Sequence, residues 1–366
     1  MLHEKTIAVV VPAFNEAAQI GAVIETMPAF VDRIVVVNDA STDRTAAIVM
    51  EYWGNGLNKG TGTIGRCSFD IEKTRFNNAE VVLRQLLSKE LDLFPASEVV
   101  NKNPDTDRII LINHLGNYGV GAAIARGYKW CKDHGIDCTA VMAGDGQMDP
   151  DELEKICLPV VRDGVDYVKG NRLIHRSAWL VVPKVRYIGN SILSILTKIA
   201  SGYWHVSDTQ TGFTAISLDA LNALRLHHIY RSYGMPNDML VKLNIAMCTL
   251  KEVPIKPVYN VGEETKMKVL RVIPRISWLL TKLFFKRLWV KYLFRDFHPL
   301  FLLYNFAFIL TLINIPYACQ VVHGMIDGHH PTITTFLSFL FLFISSFQAV
   351  LFAMWMDMQD NERLYK

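Results

Sequence analysis

The segment Val141-Met-Ala-Gly-Asp-Gly-Gln-Met-Asp-Pro150 does most to decide the fold, because an apolar run ends there at a cluster of oxygen-bearing side chains. The apolar residues predict a buried strand, and Asp145, Gln147 and Asp149 follow it. Carboxylate and amide oxygens suit hard cations such as Mg²⁺ or Mn²⁺, which share their coordination shell with substrate phosphates. The loop therefore predicts either a metal and diphosphate site or a strand-to-helix turn in which Asp149 or Asp151 caps the helix Glu152–Ile156.

Three further apolar runs rich in Val and Ile precede this segment, and helical patterns lie between the runs. The predicted strands are Thr6–Val11, Arg33–Val37, Arg108–Ile112 and Cys138–Met142, and the predicted helices are Glu16–Met27, Asp43–Tyr52 and Val120–His134. Such alternation implies right-handed βαβ units and a mostly parallel α/β sheet. Polar side chains that follow the strands are then expected to meet at the carboxyl edge of the sheet, where ligands bind.

An insertion over residues 54–107 interrupts the alternation. It opens with several glycines, but no Gly-Lys-Ser/Thr sequence and no preceding strand support a phosphate loop. The segment is too long for a plain loop, and Asn78–Leu93 has helical spacing of its apolar residues. We expect a small additional lobe.

The apolar residues are concentrated towards the C-terminal end of the chain. No Asp, Glu, Lys or Arg occurs in Phe297–Ile326 or in Gly328–Met356. Each run exceeds the roughly 20 residues that a helix needs to span a bilayer. The pattern predicts a two-helix transmembrane hairpin over residues 297–357 and a tail over 358–366, and a helical hairpin buried in a soluble protein is the alternative.

Residues 263–296, just before the first span, alternate basic and apolar side chains. This composition favours amphipathic helices on an anionic leaflet, and the positive-inside bias predicts that the N-terminal part and both termini are cytoplasmic. The net charge is only +3, so binding of nucleic acid is not predicted. No secretory signal pattern and no paired cysteine motif are found, which fits a cytosolic domain with reduced thiols. The basic residues are Lys266, Lys268, Arg271, Arg275, Lys282, Lys286, Arg287, Lys291 and Arg295.

Six short motifs occur in an order typical of one enzyme family. They are Pro12-Ala-Phe-Asn-Glu16, Asn38-Asp-Ala-Ser41, Asn117-Tyr-Gly-Val-Gly121, Gly144-Asp-Gly-Gln-Met-Asp-Pro150, Gly170-Asn-Arg172 and Asp208-Thr-Gln-Thr-Gly-Phe213. With these motifs the chain resembles the inverting family 2 glycosyltransferases, and among them the membrane-anchored polyprenyl-phosphate sugar synthases, such as the dolichyl-phosphate mannose synthases. The resemblance covers about Thr6–Tyr259 apart from the insertion.

The resemblance implies a GT-A catalytic domain, Rossmann-like with a mostly parallel sheet, over residues 1–262. The expected metal is Mg²⁺ or Mn²⁺ on Asp145 and Gln147. The family usually has Asp-x-Asp-Gly-Gln at this loop, and Ala143 replaces the first Asp here. The nucleotide is expected at Pro12, Phe14, Glu16 and Asp39.

The resemblance also places the acceptor. The acceptor phosphate is expected at Arg172, Arg186, Asn190 and Lys266, and arginine suits this role because its planar fork binds phosphate oxygens in pairs. The catalytic set that the resemblance implies is Asp145, Arg172, Arg186, Asp208 and Asp238. The implied partners are a UDP- or GDP-linked nucleotide sugar, a dolichyl or undecaprenyl phosphate and the membrane, with a homo-oligomer left open.

The expected activity is transfer of the sugar to the polyprenyl phosphate at the cytoplasmic membrane face, with inversion. A non-catalytic scaffold that binds nucleotide is a rival interpretation, for which Ala143 would be the sign. A transferase to another membrane lipid and a polysaccharide synthase are rival enzymes. The polysaccharide synthases normally carry a Gln-x-x-Arg-Trp motif and more spans, and the sequence has neither.

Overall fold

The computed structural model describes residues 1–54, 56–60, 62–67, 71–177, 184–258, 269–328 and 331–366, without the side chains of 184–188 and 269–273. Within these ranges a mixed sheet of eight strands forms the centre of the N-terminal part, in the order β3-β4-β2-β1-β5-β7-β6-β8. The strands are β1 (Ile7–Ala13), β2 (Arg33–Asn38), β3 (Ser97–Val99), β4 (Ile109–His114), β5 (Cys138–Val141), β6 (Tyr167–Asn171), β7 (Thr214–Ser217) and β8 (Leu250–Pro254).

Most neighbouring strands are parallel, as the strand and helix alternation predicts. Strand β1 is parallel to β2 and β5, β2 is parallel to β4, and β6 is parallel to β8. Strand β7 is antiparallel to both β5 and β6, and β3 is antiparallel to β4. The four strands predicted from the sequence are confirmed, with ends that differ by at most two residues.

The central strands are buried on both faces. In β1, Val10 packs in one hydrophobic cluster, whereas Val9 and Val11 pack in a second cluster on the opposite face. Successive side chains of a strand point to opposite faces, so a strand covered on both sides becomes a continuous apolar run. This is why the Val and Ile runs of the sequence identify the core strands.

Eleven α-helices accompany the sheet in the ranges given above. They are α1 (Ile20–Glu25), α2 (Thr45–Glu51), α3 (Asn78–Lys89), α4 (Val120–Asp133), α5 (Leu153–Asp163), α6 (Lys184–Ser201), α7 (Leu218–Ala223), α8 (Met235–Ile245), α9 (Val269–Trp289), α10 (Pro299–Ile326) and α11 (Ile333–Glu362).

Helix α1 is shorter than the sequence predicts, because it begins at Ile20 rather than at Glu16. The backbone amides of Asn15, Glu16 and Ala17 donate to side chains of residues 41–45 instead of starting a helix. The segment after β1 is therefore held as a loop, and its tertiary contacts override the helical pattern.

The insertion forms a lobe that supplies the edge of the sheet. It contains α3, a surface helix with no buried residue, and β3, a three-residue strand that the sequence pattern does not predict. Glu90 attaches the lobe to α4, where its carboxylate lies 3.3 Å from Lys129 and 3.4 Å from Lys132. The lobe is thus an integral part of the domain.

The C-terminal part is helical and continues from α9 through a short π-helical segment, Val290–Arg295, into α10 and α11. Helices α10 and α11 are both long and apolar enough to cross a membrane, with mean hydropathy of 1.7 and 2.1. Large apolar side chains on them are exposed, among them Phe306, Leu312 and Phe341. A core helix of a soluble protein would bury such residues, so the exposed surface favours the transmembrane hairpin.

The C-terminal part differs from the sequence-based expectation in two respects, the length of α11 and the burial of two cations. Helix α11 continues to Glu362, and the residues after it return to the sheet, where the amide of Leu250 donates to Leu364 at 2.7 Å. Arg287 and Lys291, which we expected among the cations facing a leaflet, are instead buried. Both form ion pairs with the end of α11, to Asp357 and Asp360, and such partners offset the cost of burying a charge.

Candidate active site

The predicted site residues meet at one edge of the sheet because of the strand directions. Strands β1, β2, β4 and β5 run the same way, so the loops that follow them share an edge. Strand β6 also runs this way, since β7 is antiparallel to both β5 and β6. The loop that begins at Arg172 and the loop that precedes β7, residues 208–213, therefore reach the same edge, where ligands of such sheets bind.

The loops after β1 and β2 are bound to each other by side-chain to backbone hydrogen bonds. The amide of Asn15 donates to Ser41 Oγ at 3.0 Å, and the amide of Thr42 donates to Asn15 Oδ1 at 2.8 Å. Pro12 is buried below them, and Phe14 is exposed. These hydrogen bonds hold together the two loops that contain Phe14, Glu16 and Asp39, three of the predicted nucleotide residues.

Asp39 organises the loop that follows β4. Its Oδ1 lies 2.7 Å from His114 Nδ1 and accepts from the amide of Tyr118 at 3.0 Å, and its Oδ2 accepts from the amide of Gly119 at 2.7 Å. Burial raises the pKa of Asp39, but these hydrogen bonds outweigh it, so the pKa lies below its ordinary value. A nucleotide base that donates to Asp39 would therefore bind a carboxylate oxygen that already accepts from one of these groups.

Gly121 allows a close approach at the start of α4. A Cβ at Gly121 would lie 2.0 Å from the carbonyl oxygen of Tyr230, so only glycine fits. The amide of Tyr230 donates to Asp238 Oδ2 at 2.8 Å, and Asp238 also pairs with Lys242. The structure thus places Asp238 in α8, where it holds the segment that packs on α4.

The loop Ala143–Pro150, the metal loop, has features of both predictions made for it, the helix-capping turn and the cation site. Asp149 caps the turn after the loop, since its Oδ1 accepts from the amide of Asp151 at 3.0 Å. Asp145 Oδ1 accepts from the amide of Gln147 at 3.1 Å, and Gly146 has a positive φ of 72° that allows this tight turn. Asp145 and Gln147 are both partly exposed.

The donor set of this loop fits a cation that takes few protein ligands. One carboxylate and one amide oxygen suit Mg²⁺ or Mn²⁺ when diphosphate and water complete the shell. Among the residues that the structure describes, no group of three or more His, Cys, Asp or Glu side chains could hold a metal ion. A site composed of protein ligands alone is therefore not formed by these residues.

Arg172 and Asp208 form a two-point ion pair at the edge. Arg172 Nε donates to Asp208 Oδ2 at 2.8 Å, and Nη2 donates to Oδ1 at 3.1 Å. The Asp208 side chain is fully buried, whereas that of Arg172 is 24% exposed. Burial raises the pKa of Asp208, but Arg172 and the neighbouring Lys169 lower it more, so the pKa lies below its ordinary value. Asp208 therefore holds the guanidinium group in one orientation at the edge.

A buried network supports this pair, and its members Lys169 and Glu252 lie outside the six motifs. Lys169 donates to the carbonyl of Thr211, and burial lowers the pKa of Lys169 to about 8, although Asp208 and Glu252 oppose this. Glu252 accepts from the amide of Asp208 at 3.1 Å, and burial raises the pKa of Glu252. A charged residue inside an apolar strand, as Lys169 is in β6, was the available signal.

Helix α6, which contains Arg186 and Asn190, contacts the loop before β7. Ser194 Oγ lies 3.1 Å from Thr209 Oγ1, which joins α6 to the loop that contains Asp208. Asn190 lies one turn before Ser194 on the same helix and is partly exposed. The side chain of Arg186 and the whole of Lys266 lie outside the described residues.

The chain is similar to known transferases. It is 28% identical over 260 residues to the UDP-N-acetylglucosamine–dolichyl-phosphate N-acetylglucosaminyltransferase of Methanococcus voltae, over 71% of this chain and 88% of that protein. It is 23% identical over 301 residues to a dolichyl-phosphate beta-glucosyltransferase of Trichomonas vaginalis, over 77% of this chain and 74% of that protein. Among solved structures it is similar to glucosyl-3-phosphoglycerate synthase from Mycobacterium tuberculosis, with 16% identity, a TM-score of 0.46 and coverage of 78% and 81%.

The family is shown by a match that extends over the site. The family model described as Glycosyl transferase family 2 matches residues 8–58 and 77–225, which is more than half of the chain. The two matched ranges contain the loops after β1, β2, β4 and β5, and the pair of Arg172 with Asp208. The mixed α/β sheet, with these loops at one edge, is the GT-A-like fold that the resemblance implied. The chain therefore belongs to glycosyl transferase family 2.

Proposed function

We propose that the protein transfers a sugar from a nucleotide diphosphate sugar to a polyprenyl phosphate at the membrane surface, with inversion at the anomeric carbon. The observation that carries the proposal is that α6, which contacts the site loop at Thr209, also contacts the helices that lead into the membrane hairpin. A lipid acceptor needs a site next to the bilayer. The names of the two relatives, both acting on dolichyl phosphate, support this acceptor class.

The donor half of the reaction takes place at the loops after β1, β2 and β5. Pro12, Phe14, Glu16 and Asp39 are proposed to hold the nucleotide, and Asp145 and Gln147 would hold Mg²⁺ or Mn²⁺. Such a cation neutralises charge on a departing nucleoside diphosphate. The tight turn at Gly146 keeps the two ligand side chains on one loop, so that they can engage the diphosphate together.

The acceptor half needs orientation more than proton removal. A phosphate monoester is largely ionised at pH 7, so it can attack the anomeric carbon without a strong general base. Arg172, held by Asp208, is proposed to orient the phosphate together with Arg186 and Asn190, and Lys266 belongs to the same proposal. Attack from the side opposite the nucleotide gives inversion.

The orientation in the membrane is part of the proposal. Helix α10 begins directly after the basic stretch, and the end of α11 contacts Trp204 and Asn244 of the catalytic domain, so both ends of the hairpin lie on the side of this domain. The exposed cations Arg275, Lys282 and Lys286 favour an anionic leaflet. We therefore place the catalytic domain and both termini in the cytoplasm.

One experiment separates transfer from binding. Purified full-length protein in lipid nanodiscs is given a short polyprenyl phosphate and each of several UDP- and GDP-linked sugars, beginning with UDP-N-acetylglucosamine. We expect a new glycolipid of matching mass, formed with Mg²⁺ or Mn²⁺ and lost in Asp145→Asn, and NMR of its anomeric proton should show inversion.

Ala143 in the metal loop favours a second candidate, a scaffold that binds nucleotide without turnover. Calorimetry of nucleotide binding on the same nanodiscs tests it. Nucleotide binding without transfer from any donor would support the scaffold and refute the transferase.

A further inference from the structure

Arg287 of α9 joins three helices at one buried point. Its Nε donates to the carbonyl of Ala200 at 2.9 Å and its Nη2 to the carbonyl of Ile199 at 3.1 Å, at the end of α6. Its Nη1 and Nη2 also pair with the two oxygens of Asp357 in α11, at 2.7 and 2.8 Å. Arg287 therefore caps α6 and binds the second candidate membrane helix with the same guanidinium group.

The Arg287 guanidinium is tightly packed, with no room for a side chain at Gly202. Gly202 follows α6 with a φ of +78°, and a Cβ there would lie 2.4 Å from Arg287 Nη1. Tyr292 and Trp204 donate to Asp357 at 2.7 and 3.2 Å. The carboxylate is thus surrounded by donors from α9, from the segment after α6 and from the π-helical segment.

The charges make the arrangement specific. Arg287 is 1% exposed and Asp357 is fully buried, so separation of the pair leaves an unpaired charge away from water. A bidentate pair also specifies direction as well as distance. The pair therefore fixes the height and rotation of α11 with respect to the end of α6.

Helix α6 extends this constraint to the site. It contains Asn190, and its Ser194 contacts Thr209 in the loop that also holds Asp208. A rotation of α6 about its capped end would move all of these groups together. The chain of contacts runs from Asp357 through Arg287 and α6 to the loop before β7.

We infer that Asp357, near the end of the second candidate membrane helix, is a positioning residue for the acceptor site and acts through Arg287 and α6. The inference rests on the proposed function, because that proposal assigns the acceptor phosphate to α6. It adds that the membrane hairpin sets the geometry of acceptor binding in addition to holding the enzyme at the bilayer.

The first measurement does not need turnover. Hydrogen exchange of the full-length protein in nanodiscs is compared for wild type, Asp357→Asn and Tyr292→Phe. The second variant removes the hydrogen bonds of the Tyr292 hydroxyl to Asp357 and Arg287 but keeps both partners of the Arg287–Asp357 ion pair. We expect exchange in the last turns of α6 to rise about tenfold in Asp357→Asn and less in Tyr292→Phe, with α4 unchanged. Ser346→Ala is the matched control, because it breaks the 2.6 Å contact between Ser346 and Thr311 inside the hairpin, away from α6.

The second measurement is steady-state transfer with the same variants. We expect the KM for polyprenyl phosphate to rise about tenfold in Asp357→Asn, while the donor KM stays within about twofold. Unchanged exchange in α6, or an equal rise of both KM values together with faster exchange throughout the domain, would overturn the inference. Absence of transfer by the wild type would refute the proposed function, and the exchange data would still decide whether Asp357 controls α6.

Discussion

Replacement of Arg172 by Ala tests whether the ion pair with Asp208 stabilises the domain. The change removes both hydrogen bonds to a fully buried carboxylate, and loss of one partner of a buried pair costs about 3–5 kcal/mol. Lys169 still neutralises part of the charge, so we expect the lower end, about 3 kcal/mol. At about 2–4 °C per kcal/mol, the melting temperature should fall by about 6–12 °C.

The assay is thermal unfolding in detergent, followed by tryptophan fluorescence, with two control variants. Arg172→Lys keeps the charge but loses the planar fork, so we expect its melting temperature to fall by about half as much as that of Arg172→Ala. Arg84→Ala breaks an exposed pair with Glu80 and should change stability by less than about 1 kcal/mol. A fall for Arg172→Ala no larger than that for Arg84→Ala would refute the reasoning.

The pH dependence of the stability difference distinguishes loss of the ion pair from loss of side-chain packing. The pKa of Asp208 is lowered in the native protein, so the stability that the pair contributes is present above the unfolded pKa and is lost as pH falls through the native pKa. The difference between wild type and Arg172→Ala should therefore be full at pH 7 and should narrow below about pH 4. A difference that does not change with pH would assign the effect to lost packing.

Three further changes have defined expected results. Asp145→Asn should lower transfer by orders of magnitude at unchanged melting temperature, because it removes the charge that a hard cation requires. Full activity of this variant with a chelator present would show that the loop is only a structural turn. Arg186→Ala should raise the acceptor KM about tenfold or more through loss of charge-assisted contacts, and a rise in the donor KM alone would move Arg186 to the diphosphate side. Deletion of residues 363–366 should lower the melting temperature and increase aggregation in size-exclusion chromatography, because it uncovers the edge at Leu250, and an unchanged elution profile would show that the tail is dispensable.

The parts of the fold that depend on local pattern could be predicted from the sequence. The Val and Ile run of β1 and the charge-free run that forms most of α11 identify these elements, because burial or lipid contact requires a continuous stretch of apolar residues. Strand β3 has only three residues, too few for a periodic signal, and the antiparallel direction of β7 depends on long-range pairing.

The same distinction holds for the site. The sequence pattern predicted that Asp39 and Asp145 each follow a strand, and strand direction brings them to one edge. Arg172 reaches the same edge after β6, a strand that the sequence pattern did not predict. The contacts of Asp39 with His114 and of Asp357 with Arg287 span 75 and 70 residues of sequence. No local pattern encodes such pairs, so the structure was needed to find them.

The return of the C-terminal tail to β8 gives the order of biosynthesis a role in folding. Leu364 and Tyr365 leave the ribosome only after both hydrophobic helices, so the edge of the sheet at β8 has no neighbour while the rest of the domain is already synthesised. An uncovered edge strand pairs readily with other chains. In the topology that we propose, insertion of the hairpin into the bilayer would bring the tail back to the side where β8 lies. A nascent chain whose hairpin fails to insert would therefore keep the β8 edge unpaired and would be a target for cellular quality control. Insertion would then be the final folding step of the catalytic domain, although that domain itself is proposed to lie outside the bilayer.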